Sequence, residues 1–430
     1  TYVATATGMG NASTFFTCVR TWDNAGNNAG WVCSDGFSID TVEPANPQQD
    51  DIFDLTTAAS ADRDWTSSST ALSTSWNAGT DSTSGIRDYD VCFSTAPSTC
   101  ANIGGTVTQT QITTRLATAT ATGLVAGTTY YTCIRAHDNA GLRADWQCSD
   151  GFSLDSANPA NPTSANMYDL SIAFAGDRDW TSSPSVLSAS WGVGSDGASG
   201  IRDYDACFST SDATCANIPG TSTISGNTSR IATATATGLT IGATYYTCVK
   251  VYDMAGNAPD WTCSDGFQLE QAAPTNPGQD NIFDLSISGA SDRDWSNSST
   301  VLSASWSAGT DSGGAGIRDY DVCFSTTSGS CVPVDGTNME SGNTTRIATA
   351  TATAIPPLTR VYSCVRTYDN ASNDAGWQCS DGFQVEQVAP SSPAPSDIFD
   401  LSVANTDYDW SSSTTALNAS WNEGADAHSG

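Results

Sequence analysis

Fourteen cysteines are the residues whose type and spacing most directly promise chemistry. They run as Cys92, Cys100, Cys133 and Cys148, then as Cys207, Cys215, Cys248 and Cys263, then as Cys323, Cys331, Cys364 and Cys379. Cys18 and Cys33 precede them. The count is even, the spacing recurs, and no Cys-x-x-Cys pair or neighbouring histidine recurs with it. That pattern points to disulfides formed in an oxidising compartment rather than to zinc. Nucleophilic catalysis finds no support. The two histidines, His137 and His428, occupy non-equivalent positions, so no Ser-His-Asp or Cys-His arrangement can recur. The chain is expected not to be an enzyme.

Two further residue classes are candidates for chemistry. Asn-x-Ser/Thr triplets place N-linked glycans at Asn11, Asn227, Asn297, Asn343, Asn370 and Asn418 in a cell that N-glycosylates, and the dense Ser and Thr leave O-glycosylation open. The second class is acidic. The formal net charge is −31, with Lys250 the sole lysine, which makes nucleic acid and anionic membrane surfaces poor partners. No apolar run in this stretch is long enough to cross a bilayer.

The elements that must position these residues are repeats. Trp65, Trp180, Trp295 and Trp410 fall at one fixed period, as do Trp76, Trp191, Trp306 and Trp421. Such a long period means a tandem array of one folded unit. The chain divides into the end of a repeat (1–43), complete repeats at 44–158, 159–273 and 274–389, and the start of another (390–430), where Gly430 is the counterpart of Gly85. Both ends falling inside a unit suggests a window on a longer array. Each unit opens on a Pro-x-x-Pro linker: Pro44 to Pro47, Pro159 to Pro162, Pro274 to Pro277, Pro390 to Pro393. Paired prolines favour stiff, extended backbone. About seven short alternating strands follow, such as Leu72–Trp76, Tyr89–Phe93, Leu116–Thr122 and Tyr130–Ala136, with no amphipathic helix. That is the pattern of an all-β sandwich.

Three features carry a resemblance to a known family. They are Leu72-x-x-x-Trp76; Gly85-Ile86 with Tyr89-x-Val91; and Gly123-Leu124-x-x-Gly127-Thr128-x-Tyr130, running on to Ala136 and Ala140-Gly141. Together they resemble a fibronectin type III domain, with Tyr130 as its tyrosine corner. Two features depart from that family: the longer stretch from Asp51 to Ser69, with its Asp62-Arg63-Asp64-Trp65, and the cysteines. The resemblance implies a seven-stranded, immunoglobulin-like sandwich in which Tyr89, Val91, Phe93, Tyr130, Thr132, Ile134 and Ala136 point inward. It puts all four cysteines on the outer face of one sheet. Local pairing, Cys92 with Cys100 and Cys133 with Cys148, would staple two hairpins and is preferred; the rival, Cys92 with Cys133, would join adjacent strands. Arg20, Arg135, Lys250 and Arg366 would share that face, with a Trp such as Trp146 stacking beneath. The other sheet would present Ser73, Ser75, Thr118, Thr120 and Thr122 outward. This hydroxyl stripe reads as a soluble face, as a glycan-bearing or laterally packing face or, least of all, as an ice-binding ladder.

The same frame brings Asp81, Asp88 and Asp138 to the end nearest the incoming linker, near Ser34-Asp35-Gly36 and Asp40 of the preceding unit. Calcium takes several carboxylate and carbonyl oxygens, so a junction site is one expectation; acidic turns serving solubility are the other. Asp62 and Asp64 form a separate, weaker candidate at the other end. No cofactor is required by this reading. The function expected is an extracellular structural protein, a rod or fibril whose partners are other copies of itself. The alternative is a cell-surface adhesin stalk that binds glycans or proteins.

Overall fold

The computed structural model describes residues 2–58, 61–289 and 291–428. Gly430, aligned above with Gly85, lies outside the described residues. The chain is all-β, a tandem series of paired sheets, with four single-turn 3-10 helices as its helical elements among the described residues. Among the described residues, no helix is long and apolar enough to cross a membrane.

Residues 44–158 show the pattern. One sheet has three strands in the order Leu116–Thr120, Ala71–Trp76, Ile52–Asp54. The other runs Trp65–Thr66, Phe152–Leu154, Thr129–Asp138, Ile86–Ser94, Gln109–Ile112, and the short Gln147–Cys148 strand also pairs with Thr129–Asp138. Between these sheets lies the core. Trp76, Tyr89, Val91, Phe93, Tyr130, Ile134 and Ala136 are all buried in it. Trp76 meets Tyr89 edge-on at 5.6 Å between ring centroids, a preferred aromatic geometry. The Tyr130 hydroxyl accepts from the Val125 amide at 2.9 Å, and Tyr245 does the same with Thr240.

The long Asp51–Ser69 stretch has a definite path. After Ile52–Asp54 the chain turns through Leu55, whose φ of 57° is left-handed, and crosses to the opposite sheet. There Trp65–Thr66 pairs parallel with Phe152–Leu154. Leu170, Leu285 and Leu401 repeat that backbone angle. The crossing covers part of the hydroxyl stripe. Ser190 and Ser305 accept hydrogen bonds from the Phe174 and Gly289 amides of this segment, and Ser75, Ser190 and Ser305 are buried. Ser75 therefore does not face solvent. Thr118, Thr120 and Thr122 do.

On the far side of the larger sheet the cysteines form a second small apolar layer. Cys92, Cys133 and Cys148 are buried there with Cys100, Tyr131 and Trp146 packed around them. Alternation along the strand puts them on the face away from the main core, but their own mutual packing seals them from water. Seven bonds join Cys18–Cys33, Cys92–Cys100, Cys133–Cys148, Cys207–Cys215, Cys248–Cys263, Cys323–Cys331 and Cys364–Cys379. Cys133 stands directly across from both Cys92 and Cys148 in register, and bonds to Cys148.

Candidate functional site

The carboxylates of the second complete repeat fall into two groups. One lies at the junction with the preceding repeat. Asp155, from the end of one repeat, approaches Asp196 and Asp253 of the next, with carboxylate oxygens within 4.8 Å of one another; Glu270, Asp311 and Asp369 make the corresponding group one repeat on. Backbone amides hold these side chains. Asp155 accepts from the Ser199 amide across the junction at 3.0 Å, Asp40 from Ser84 at 3.1 Å, and Glu270 from Ala315 at 2.6 Å. Asp81 accepts from the Ser84 and Gly85 amides. Asp138 is fully buried; one of its oxygens accepts from the Leu142 amide and the other has no partner. Asp88 pairs with Arg87 at 2.8 Å.

The linker seats each junction. Ala45, Ala160 and Thr275 bridge to Thr80, Ser195 and Thr310. Gly79 has to be glycine at this crossing, because a Cβ there would stand 2.5 Å from the Ala45 carbonyl oxygen. Asn46 accepts from the Ala136 amide at 2.8 Å and donates to the Asp145 carbonyl at 2.6 Å. Asn161 does so with Val251 and Asp260, and Asn276 with Thr367 and Gly376. In each linker the amide side chain thus satisfies backbone groups that a neighbouring strand would otherwise have to pair. The intervening prolines are buried in all three. Sequence reasoning read these linkers as stiff spacers and missed the asparagine, although its recurrence in Pro-x-Asn-Pro was visible.

The second group lies inside the repeat, at the start of the long crossing segment. Asp54, Asp62 and Asp150 bring three carboxylate oxygens within 4.8 Å of one another, and Asp169, Asp177 and Asp265 repeat the arrangement. Asp54 is completely buried, with only the Ser149 and Thr132 hydroxyls facing its carboxylate; Asp62 and Asp150 are exposed. Asp62 accepts from the Asp54 amide at 2.5 Å. Burial pushes the Asp54, Asp169 and Asp284 carboxyls up to about 7, opposed by nearby Ser and Thr hydroxyls. Asp64 is not part of this group; its carbonyl accepts from the Ser153 amide, fixing the crossing segment to the last strand. Asp54 went unread in the sequence, and the Ser-Asp-Gly motif, expected at the junction from Asp35, lies at Asp150 inside the repeat. The signal for Asp54 was the recurring Asp-Leu after the first strand.

The basic face is ordered by ion pairing. Arg135 donates to Asp90 at 2.6 Å, His137 lies 2.9 Å from the same carboxylate, and the Arg135 guanidinium stacks on Trp146 at 4.6 Å. Arg366 repeats this with Asp321 and Trp377, and Arg20 stacks on Trp22 and Trp31. Burial raises the Asp90 carboxyl, but hydrogen bonds from Arg135 and His137 outweigh it and hold the group below its usual value.

Among the glycan candidates, Asn11, Asn297, Asn370 and Asn418 are exposed. Asn370 donates to the Ala315 carbonyl, and Asn11 accepts from the Thr41 amide. Asn227 is half-buried and donates to Ile231. Asn343 is buried, and its amide nitrogen donates to both Glu340 and Ile347. In the folded chain that nitrogen is occupied.

Comparison with known proteins fits this geometry. Residues 63–147 match the fibronectin type III domain. The repeats are fibronectin type III-like. The chain is similar to exoglucanase B of Cellulomonas fimi, 26% identical over 71% of this chain and 23% of the relative, and to chitinase A1 of Niallia circulans, 30% identical over 48% of this chain and 25% of the relative. It spans about a quarter of the length of these relatives. Among solved structures, extracellular domains 3–5 of Drosophila OTK align with 80% of this chain and all of theirs, at 7% identity and a TM-score of 0.19, too low to carry an argument. Disulfides such as these form and persist in oxidising compartments of the extracellular type.

Proposed function

We propose that this chain is an extracellular spacer, a series of stapled fibronectin type III-like repeats that holds a set distance and serves as a rod or as the strand of a fibril. The observation that carries this reading is the bonding of successive junctions. A linker asparagine satisfies two backbone groups of the incoming repeat, and a carboxylate from the outgoing repeat caps one of its loops. A linker meant to flex would leave those groups to water. The repeated surface offers the same contacts at each step, which suits lateral assembly of copies, and Asn297 and the exposed threonines offer places for glycans.

Electron microscopy of the purified chain tests the proposal. Straight particles of narrow length distribution, or fibres with a period equal to a whole number of repeats, support it. Isolated flexible strings count against it. The similarity to two polysaccharide-hydrolysing enzymes favours a second reading, in which such an array separates parts of a longer secreted protein; an adhesin stalk at the cell surface is a variant of it. A binding domain joined to the array in the full-length protein would favour that reading over fibril formation.

A further inference from the structure

The fully buried carboxylate at the start of each crossing segment serves no junction and no ion pair. Each ion pair formed among the described residues involves other acids. One oxygen each of Asp169 and Asp284 is without a partner, and Asp54 faces only the Ser149 and Thr132 hydroxyls. The second oxygens of Asp169 and Asp284 accept hydroxyl hydrogens from Thr247 and Ser363, an arrangement suited to an anion. Asp62 and Asp150 approach Asp54, Asp177 and Asp265 approach Asp169, and Asp292 and Asp381 approach Asp284, and among the described residues none of the three buried carboxylates forms an ion pair. A fold that merely needed a polar turn there would use asparagine. Ionising a buried, unpaired carboxyl beside two like charges is costly, and a bound cation would offset that cost in successive repeats.

We propose that each complete repeat binds a divalent cation of the calcium type through Asp54, Asp62 and Asp150 and their counterparts. In the first two complete repeats the carboxylate oxygens lie no more than 4.8 Å apart and fit around an ion held at about 2.4 Å, the calcium–oxygen distance; in the third, Asp292 and Asp381 act on Asp284 as like-charged neighbours. The donor set is all oxygen, which favours calcium over zinc or copper. Asp62 and Asp150 are exposed, so an ion has a path in and keeps room for water ligands. The ligands come from two places. Asp54 and Asp62 bracket the crossing segment, whereas Asp150 sits in the loop before Phe152–Leu154 of the opposite sheet. The cation would therefore clamp one sheet to the other at the point where the chain departs from a plain fibronectin type III repeat. This site is separate from the junction carboxylates.

The test is calcium titration of the 430-residue chain by calorimetry at physiological salt, with magnesium alone as the comparison. Saturable uptake of one calcium per complete repeat, with a melting temperature several degrees higher than in chelator, is expected. The triple variant Asp54→Asn, Asp169→Asn, Asp284→Asn removes the buried charges with little change of shape. The triple variant Asp150→Asn, Asp265→Asn, Asp381→Asn alters only exposed loop positions, so it folds whatever the ion does. Both are expected to weaken calcium binding at least tenfold and to abolish the calcium-dependent rise in melting. Replacing the junction residues Asp81, Asp196 and Asp311 by Asn is expected to leave both intact. Absence of saturable uptake at about 10 mM calcium, well above the range of extracellular calcium modules, overturns the proposal. So does unchanged uptake in the exposed-loop variant.

Discussion

Single side chains set the electrostatics of this acidic molecule. Asp90 is the clearest case, because Arg135 and His137 both reach it and Trp146 backs the guanidinium. Its carboxyl is held below the usual value, so the folded state releases that proton more readily than the unfolded chain. The contribution is therefore complete above the unfolded value near pH 4 and is lost as pH falls through the lower folded value. Arg135→Gln should destabilise its repeat by about 1 kcal/mol at pH 7, the pair being close to the surface. In thermal melts, the difference from wild type should shrink below pH 4; a difference that persists to pH 2 would assign the effect to lost stacking on Trp146 alone. At the linkers, Asn161→Ala leaves the Val251 amide and the Asp260 carbonyl without their partner. Two such losses should cost about 1–3 kcal/mol each where water cannot replace the asparagine. The expected readout is a lower melting temperature and faster proteolytic cutting in the 155–163 linker.

At the scale of elements, the staples and the crossing segment do what the core cannot do alone. The core is lined partly by Ala117 and Ala121, which bury little surface. Disulfides compensate by restricting the unfolded chain. Replacing Cys248 and Cys263 by Ala should cost about 3 kcal/mol, the figure for a loop of that length, against about 2.5 kcal/mol for the shorter Cys207–Cys215 loop. Chemical unfolding of the two double variants should rank them in that order. The last complete junction shows elements adjusting to one another. Glu270 replaces the aspartate found at Asp40 and Asp155, and the loop receiving it carries an extra residue and Gly313. A Cβ at position 313 would lie 1.1 Å from the Glu270 carboxylate. Gly313→Ala should therefore expel Glu270 and loosen that junction, seen as new proteolysis near residues 270–277. Adding Glu270→Ala should remove the clash without restoring the bond.

For the whole molecule, the consequence is that neighbouring repeats are matched rather than merely strung together. Glu270 fits the glycine-bearing loop that follows it, and Asp155 fits the shorter loop that follows it. Exchanging the second and third complete repeats should place these side chains against the wrong loops. Small-angle scattering of the exchanged chain should then show a broader distribution of dimensions than the native order. An unchanged distribution would show that the linker prolines and asparagines alone set the geometry.

The repeat, the all-β class, the inward positions from Tyr89 to Phe93 and from Tyr130 to Ala136, and the fibronectin type III likeness were legible in the residues themselves. Period-two alternation and a fixed long period are local properties, and the chain carries them whatever it folds against. Other features depended on how distant segments meet. Ser75 alternates outward on its strand, yet the crossing segment covers that face, as the bonds to Ser190 and Ser305 show. The cysteine face points away from the core, yet Tyr131 and Trp146 close over it. Asp54 is one more aspartate in an acidic sequence until residues nearly a hundred positions on place Asp150 beside it in a site without a counter-charge. Burial and long-range proximity are properties of the packed molecule, and for these carboxylates they alone separate a solvated turn from a candidate cation site.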